Sequence, residues 1–528
     1  MFLLQHFTRS LRPRDWDAFR IYSPLVRSLS FKEGKDVNTS IFFALTIQRP
    51  VDLVYLPNLH TLRWVADSAH VLTCCLPFIS PSLRNLEVHA IGSSAPVPER
   101  SDATGGFLCN LAQMAPRLKE VRLVVESLWM VQDIVSPLNM LGEMEALALD
   151  TGSITPFILR GLSCHASLQR LEVDLCGIDE SFLPQLAQNP SLGGTFVALK
   201  EVKIAGDMHV VDMMLSIVIC APLERLSIST FGLTSKHNMT ACFNTVASTC
   251  PGLRVLMLTS TIRADYDRCV SILEMKWAEY SVGMDVLGPL LSLKLLEEVE
   301  VFLAIPMYVD DLGLERLLVA WPRVRNLQLS PLPEWTPYSW MPLITLNGLE
   351  IVARLGKRIK RLGVLIEGTI TSFEGGRRAL GDILPIPPTP PLTPDVSTLP
   401  SSQGSNDPSA MFSQPELRCL TVGPSLIGWH EEAAAGYLAS VFPSLTSIMC
   451  IPTVTEVLGD WRRVEGHLAV LRGEGRTRIE IEAPKKEESE GSDGIPSGLF
   501  DEEMEVDGDD DSYEWALTDD EGFELTSD

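Results

Sequence analysis

The chain has no long apolar run, no paired-cysteine pattern and no glycine-rich phosphate loop, and each absence excludes a class of function. Its longest apolar stretch, 217–223 with Met213, Met214 and Leu215 before it, falls far short of the ~20 residues that cross a bilayer. No membrane association is expected. Met1-Phe2-Leu3-Leu4 is too short an apolar run for a signal peptide. Arg9, Arg12 and Arg14, with no acid before Asp15, only faintly resemble a transit peptide, and a helix is expected there instead. Without a secretory route the sequons at Asn38 and Asn238 carry little meaning. Eleven cysteines are scattered with no C-x-x-C pair, and only Cys74 and Cys75 adjoin. That pattern predicts reduced, mostly buried thiols and a cytoplasmic or nuclear location.

Catalytic signatures are missing as well. Gly473-Glu474-Gly475 lacks the third glycine and the strand-turn-helix setting of a dinucleotide loop. There is no G-x-S-x-G elbow and no H-E-x-x-H pair. Cys164, His165 and Cys176 make three potential zinc ligands with no fourth, and a core position explains Cys176 better. Glu297 and Glu298 adjoin an apolar anchor and read as a solvated face rather than an acid/base pair. The chain therefore reads as a non-enzyme with no catalytic, cofactor-binding or metal-binding residue and no cofactor.

Charge is unevenly spread. From Pro484 to Asp528 eighteen acids face only Lys485 and Lys486, a net of −16 out of the chain's −25, which leaves −9 for the rest. A chain this negative repels phosphate backbones, so nucleic acid is not an expected partner. Apolar residues make up 45%, enough for a continuous core along most of the 528 residues.

What is present is one recurring phrase: apolar, two variable, apolar, variable, apolar. Its fullest copy is Leu168-Gln169-Arg170-Leu171-Glu172-Val173, running on to Cys176 and Ile178. Further copies start at Val26, Leu59, Leu83, Leu118, Met144, Leu199, Leu223, Leu253, Leu296, Val324, Ile359, Leu417 and Leu445. Most starts lie 24 to 35 residues apart, and the wider gaps at 253–296 and 359–417 imply insertions. A proline stands two residues before many anchors: Pro57, Pro81, Pro116, Pro251, Pro322, Pro415 and Pro443. Proline closes a helix and favours extended chain. Helix-like stretches precede these points at 107–115, 208–220, 239–250, 310–321 and 431–442. The unit reads helix, Pro-x-anchor, short strand, loop, which is the frame of a leucine-rich repeat.

The expected fold class is therefore α/β: a right-handed leucine-rich-repeat solenoid with irregular repeats, a parallel concave sheet and outer helices. A monomer is expected. Strand side chains alternate between faces, so the positions flanking the second apolar residue should point away from the helices. They are Arg63, Asn85, Glu87, Glu120, Arg122, Arg170, Glu172, Glu201, Lys203, Arg225, Glu298 and Glu300. Interleaved charges of both signs suit a protein partner on the concave face.

The expected organisation has five parts: a helical segment at 1–25, repeats at 26–381, a Pro/Ser-rich insertion at 382–414, terminal repeats at 415–472 and a segment 473–528 ending in the acidic tail. The insertion, with Pro387-Pro388-Thr389-Pro390-Pro391-Leu392-Thr393-Pro394, is too poor in apolar residues to fold. Thr389 and Thr393 precede prolines as substrates of proline-directed kinases do, and Thr518 lies in an acidophilic-kinase context. Phosphorylation is an expectation at all three. The acidic tail reads as disordered and solubilising.

Several phrases resemble fungal F-box/leucine-rich-repeat proteins. They are Asp310-Asp311-Leu312 through Leu329, Thr345–Ala353 followed by Ile359-x-x-Leu362, and Leu417–Gly423 through Val441–Ile448. Near the start, Asp15-Trp16-x-x-Phe19-x-x-Tyr22-x-x-x-Val26 resembles the segment that follows an F-box. Their order from Asp15 to about Arg472 carries the resemblance. It implies the substrate-recognition subunit of a cullin–RING (SCF-type) ubiquitin ligase. Such a subunit meets a Skp-type adaptor through its F-box, but only fourteen residues precede Asp15 here. The adaptor is thus expected as a partner only if an F-box lies upstream. Two alternatives stay open: a Ran-type GTPase-activating protein, which also joins leucine-rich repeats to an acidic tail, and an F-box-less paralogue with no ligase role.

Overall fold

The computed structural model describes residue 9 and residues 11–33, 40–50, 52–66, 73–90, 97–125, 135–149, 156–176, 196–218, 221–262, 266–331, 333, 341–367, 416–423, 425, 431–449 and 455–473. The described residues all fall within one compact unit, Met1–Gly475. The insertion at 382–414 with Thr389 and Thr393, and the acidic tail with Thr518, lie outside them.

Eighteen described strands are numbered in chain order. The first nine are β1 (Ser28–Lys32), β2 (Thr61–Ala66), β3 (Asn85–Ala90), β4 (Glu120–Val125), β5 (Ala146–Leu149), β6 (Arg170–Asp174), β7 (Glu201–Ala205), β8 (Arg225–Phe231) and β9 (Val255–Thr261). The next nine are β10 (Val282–Gly283), β11 (Glu298–Phe302), β12 (Met307–Tyr308), β13 (Asn326–Leu329), β14 (Ile344–Thr345), β15 (Arg361–Gly363), β16 (Ile366–Glu367), β17 (Cys419–Thr421) and β18 (Ser447–Met449). Fourteen of them form one parallel sheet in sequence order, and β10–β12 and β14–β16 make two small satellite pairs. Each of the fourteen sheet strands begins two residues after one of the apolar anchors.

The turn before each strand explains the prolines. The anchor N–H closes a tight turn onto the carbonyl three residues back: Leu59 to Leu56 (3.1 Å), Leu83 to Ser80 (3.0 Å), Leu118 to Ala115 (3.2 Å), Val324 to Trp321 (3.1 Å) and Leu445 to Phe442 (3.1 Å). Proline occupies the second position of that turn, where its fixed φ is already correct and no N–H is needed. Among the described residues the turn's first residue is buried, as in Leu56, Ala115, Phe196, Trp321 and Phe442. His165 stands at the same place. Its ring is satisfied by the Leu141 carbonyl at 3.0 Å and the Ser167 hydroxyl at 3.3 Å. This is a structural position, which explains the histidine without a metal.

Successive repeats are joined by a shared acceptor. The carbonyl one residue after each anchor receives two consecutive N–H groups from the next repeat. Arg27 C=O accepts from His60 (2.8 Å) and Thr61 (3.1 Å), and the pattern repeats at every step to Arg418 C=O, which accepts from Thr446 (2.8 Å) and Ser447 (3.0 Å). Short polar side chains reinforce some steps: Asn58 donates to the Pro24 carbonyl at 2.8 Å, and Ser82 to Pro57 C=O at 2.7 Å.

The core lies between sheet and helices. In β6 the anchor Leu168 with Leu171 and Val173 is buried, while Arg170 and Glu172 face the other way. Helices 208–217, 236–249, 311–320, 346–355 and 431–441 supply the opposite wall through residues such as Phe243, Leu317, Leu349 and Leu438. The wide gap 253–296 holds a helix at 266–280, a one-turn helix at 284–287 and the satellite strand β10. No helix among the described residues is long and apolar enough to cross a membrane.

The expectation of mostly buried cysteines fails. Among nine described free thiols, Cys75, Cys242 and Cys250 are buried, four are half-buried, and Cys109 and Cys164 are exposed. Cys176 is half-buried rather than a full core residue, and its N–H bonds the Asp174 carboxylate at 2.9 Å. The repeat's core positions are filled by leucine and valine, so most cysteines fall on helix surfaces and strand ends.

Two tests follow from this packing. Gly423 has φ +50°, and an added Cβ there would run into the Pro331 carbonyl, a backbone atom. Gly423→Ala should cost about 1–3 kcal/mol, read as a lowered urea midpoint with unchanged slope. Burial raises the pKa of the Cys75, Cys242 and Cys250 thiols, and thiolate is the reactive form. A disulfide-exchange reagent should therefore modify Cys109 and Cys164 in the native protein and these three only after denaturant.

Candidate functional site

The sheet face turned away from the helices is ordered into rows by the parallel register. Thr61, Asn85, Glu120, Ala146, Arg170, Glu201 and Arg225 align across β2–β8. Two residues further along each strand, Arg63, Glu87, Arg122, Ala148, Glu172, Lys203 and Ser227 form a second row. Neighbouring strands lie about 4.8 Å apart, so each row is a comb of side chains at that pitch.

The two alanines of β5 break both combs at the same strand. Above their methyl groups the face sinks into a cleft of about 400 Å³. Asn85, Glu87, Glu120, Arg122, Arg170, Glu172, Glu201 and Lys203 surround it, with Thr61, Ala146 and Ala148. A smaller recess of about 220 Å³ shares Arg122, Ala148, Glu172 and Lys203 and extends to Asp174, Ser227 and Ser229. The two form one trough across β2–β8.

Charges bridge the gap left by the alanines. Arg122 reaches over β5 to Glu172 at 3.2 Å, and Arg170 reaches back over β5 to Glu120. Each pair spans two strand spacings, roughly 10 Å, which only long side chains can cover. Lys203 adds contacts of 3.8 Å to both Glu172 and Glu201. At the rim, Glu87 holds Arg63 at 3.3 Å and the His89 ring at 2.8 Å. Every cation named here has a carboxylate partner, so the trough is a nearly neutral mosaic.

The twelve side chains named from the repeat frame therefore fall into groups. Arg63, Asn85, Glu87, Glu120, Arg122, Arg170, Glu172, Glu201 and Lys203 are brought together, and Arg225 follows Glu201 in register. Beyond it β9 presents Val255, which is buried, and Met257. This apolar strand separates Glu298 and Glu300 of β11 from the trough. Glu300 instead accepts the Asn326 amide of β13. Glu297 pairs with Arg254 at 2.9 and 2.5 Å, which holds its carboxyl below the usual range. Thr61, His89, Ala146, Ala148, Asp174, Ser227 and Ser229 went unnamed. A frame that selects for charge passes over alanine and serine, yet the two alanines create the depression.

Against known proteins, no family model matches the chain, and the curated proteins give no match. Solved structures do give matches. The crystal structure of the Rad7–Elc1 complex in yeast aligns at 10% identity and TM-score 0.32, covering 81% of this chain and 78% of that one. The leucine-rich-repeat-containing protein LegL7 from Legionella pneumophila aligns at 10% identity and TM-score 0.26, covering 54% of this chain and 97% of its own. The fold is an α/β leucine-rich-repeat solenoid. That statement stands on the fourteen in-register parallel strands and their repeated turn, since alignments at these scores carry no functional argument.

The exposure of these ion pairs sets what they contribute to folding. Arg122 and Glu172 keep 49% and 39% of their side-chain surface in water, a setting in which a pair adds about 0–1 kcal/mol. Arg122→Gln and Glu172→Gln, singly or together, should each leave stability within about 1 kcal/mol of the parent in thermal melts. A larger loss would mean that the trough's charges serve the fold.

Proposed function

We propose that the chain is a non-enzymatic protein-binding scaffold that holds its partner in the trough across β2–β8. One observation carries this reading: polar side chains of both signs line a single in-register cleft while contributing little to the core. Paired charges at such a surface select a partner by complementarity and reject like-charged ones. A broad strand face with a depression accepts a polypeptide segment, whose own polar groups can exchange with the mosaic.

The finer proposal rests on the family resemblance. We infer that the chain is related to the substrate-recognition subunits of SCF-type ubiquitin ligases, with the trough as the substrate-holding surface and a cytoplasmic or nuclear setting. The order of repeat phrases from Asp15 to about Arg472 supports it.

Two experiments separate these levels. Ala148→Trp would fill the floor of the cleft without touching the core side of β5. It should abolish proximity labelling of the partners seen with the parent chain and leave the melting temperature within a few degrees, and unchanged labelling would remove the trough from the proposal. Attachment to a ligase is checked apart from this by mixing the purified chain with a Skp-type adaptor. Absence of a complex by gel filtration would rule out that level alone.

A further inference from the structure

A second surface lies along the starting edge of β13, β15 and β17. Arg325, Lys360 and Arg418 each stand just before a strand and are joined through the backbone. Lys360 N–H donates to the Arg325 carbonyl at 2.7 Å, and Arg418 N–H to the Lys360 carbonyl at 3.0 Å. Arg361 opens β15 beside Lys360, and Arg323, Lys357 and Arg358 fill the turns that lead into β13 and β15. All seven are exposed.

Some cations elsewhere on this edge are neutralised. One step earlier Arg254 is taken by Glu297, and further back Lys119 is taken by Glu145 at 2.6 Å. None of the seven has a carboxylate within 4 Å among the described residues. Helix ends account for part of the cluster. Arg323, Lys357 and Arg358 follow the helices 311–320 and 346–355, where a cation offsets the negative end of the helix dipole. Arg325, Lys360, Arg361 and Arg418 belong to the strand edge and gain nothing of that kind from these two helices. Seven like charges across three strands repel one another; Glu297 lies near enough to offset Arg323 and Arg325 in part, and a bound anion relieves the rest.

We propose that this edge is a docking site for a short acidic peptide segment of a partner protein. Five of the seven cations are arginines, whose planar forks grip carboxylates two-pronged. The cluster spans about 10 Å between Arg325 and Arg418, the reach of a few peptide residues and too little for the many phosphate contacts of a duplex. Among the described residues it offers no exposed aromatic platform: Trp321, two residues before Arg323, is fully buried. Single-stranded nucleic acid, which binds by base stacking, is therefore the poorer occupant. At physiological salt the field of any acidic residue more than ~8 Å away is largely screened, so a short ligand meets chiefly the local charges.

The test is fluorescence anisotropy on the full chain with a labelled peptide of about twelve alternating Glu and Asp residues, and with an oligonucleotide of about twelve nucleotides. The acidic peptide should bind and should weaken roughly tenfold or more as salt rises from about 50 to about 300 mM. The triple variant R325Q/K360Q/R418Q should lose at least about tenfold of that affinity, with an unchanged melting temperature because these side chains are exposed. K119Q, on the same edge among paired charges, should bind as the parent does. No salt-sensitive binding, equal binding by the triple variant, or tighter binding of the oligonucleotide than of the peptide would each overturn the proposal.

Discussion

Everything on the outer surfaces depends on the doubly used carbonyl between repeats. A backbone carbonyl has two lone pairs, and here both are used by consecutive N–H groups of the next repeat, from Arg27 to Arg418. The tight turn before each anchor presents those two N–H groups together, so the register is set before the strand begins. Slipping by one residue would exchange the faces of a strand and expose residues such as Leu171 and Val173. The ladder therefore does more than join repeats. It forces residues two apart along each strand into two straight rows, and those rows are the trough.

Given that ladder, the repeat phrase in the sequence was almost enough to draw the sheet. Anchors at Val26 through Leu445 each precede a strand by two residues, and in the copies from Leu59 to Leu417 the anchor and its partners three and five residues on are all buried, while the first copy is half-buried. The satellite pairs β10–β12 and β14–β16 escaped notice. Strands of two residues carry no period to detect, and Val282-Gly283 has no alternation at all. The surface was legible only in part. Spacing tells which face a side chain occupies, but not how far a neighbour's side chain reaches. Nothing in Ala146 or Ala148 signals that Arg122 and Arg170 will lean across them. Likewise Glu298 and Glu300 share the row positions of Glu201 and Lys203, yet the apolar Val255 and Met257 of β9 part them.

Burial along β13 marks a change in the same sheet. Asn326 and Gln328 are 5% and 3% exposed although they occupy the row positions that are open in β4–β8. They satisfy each other and Glu300 through side-chain hydrogen bonds, as buried amides must. Pro331 packs close to Gly363 and Gly423 and Ser330 turns the chain with φ 45°. Ser330 also ties this corner down, its hydroxyl lying 3.1 Å from the carbonyls of both Leu303 and Ile305, which share its one proton. The polar trough thus belongs to β2–β8, and the strand face at β13 is closed.

This division changes what each region can offer a partner. In the trough a ligand must break pairs such as Arg122–Glu172 before it makes its own, so the net gain per contact is small and the discrimination between partners is large. At the edge of β13, β15 and β17 no pair has to be broken, and the gain comes from relieving mutual repulsion among cations. Binding there should be fast, salt-sensitive and undemanding of sequence. A partner carrying an acidic segment beside a structured surface could be drawn to the edge first and sorted in the trough afterwards. The two sites would then multiply their affinities through effective concentration, provided the connecting stretch can span from Arg325 on one part of the sheet to Lys203 on the other. That span is four strand spacings in the sheet order, about 19 Å. An extended linker of roughly six residues covers it, and a shorter one would forfeit the gain.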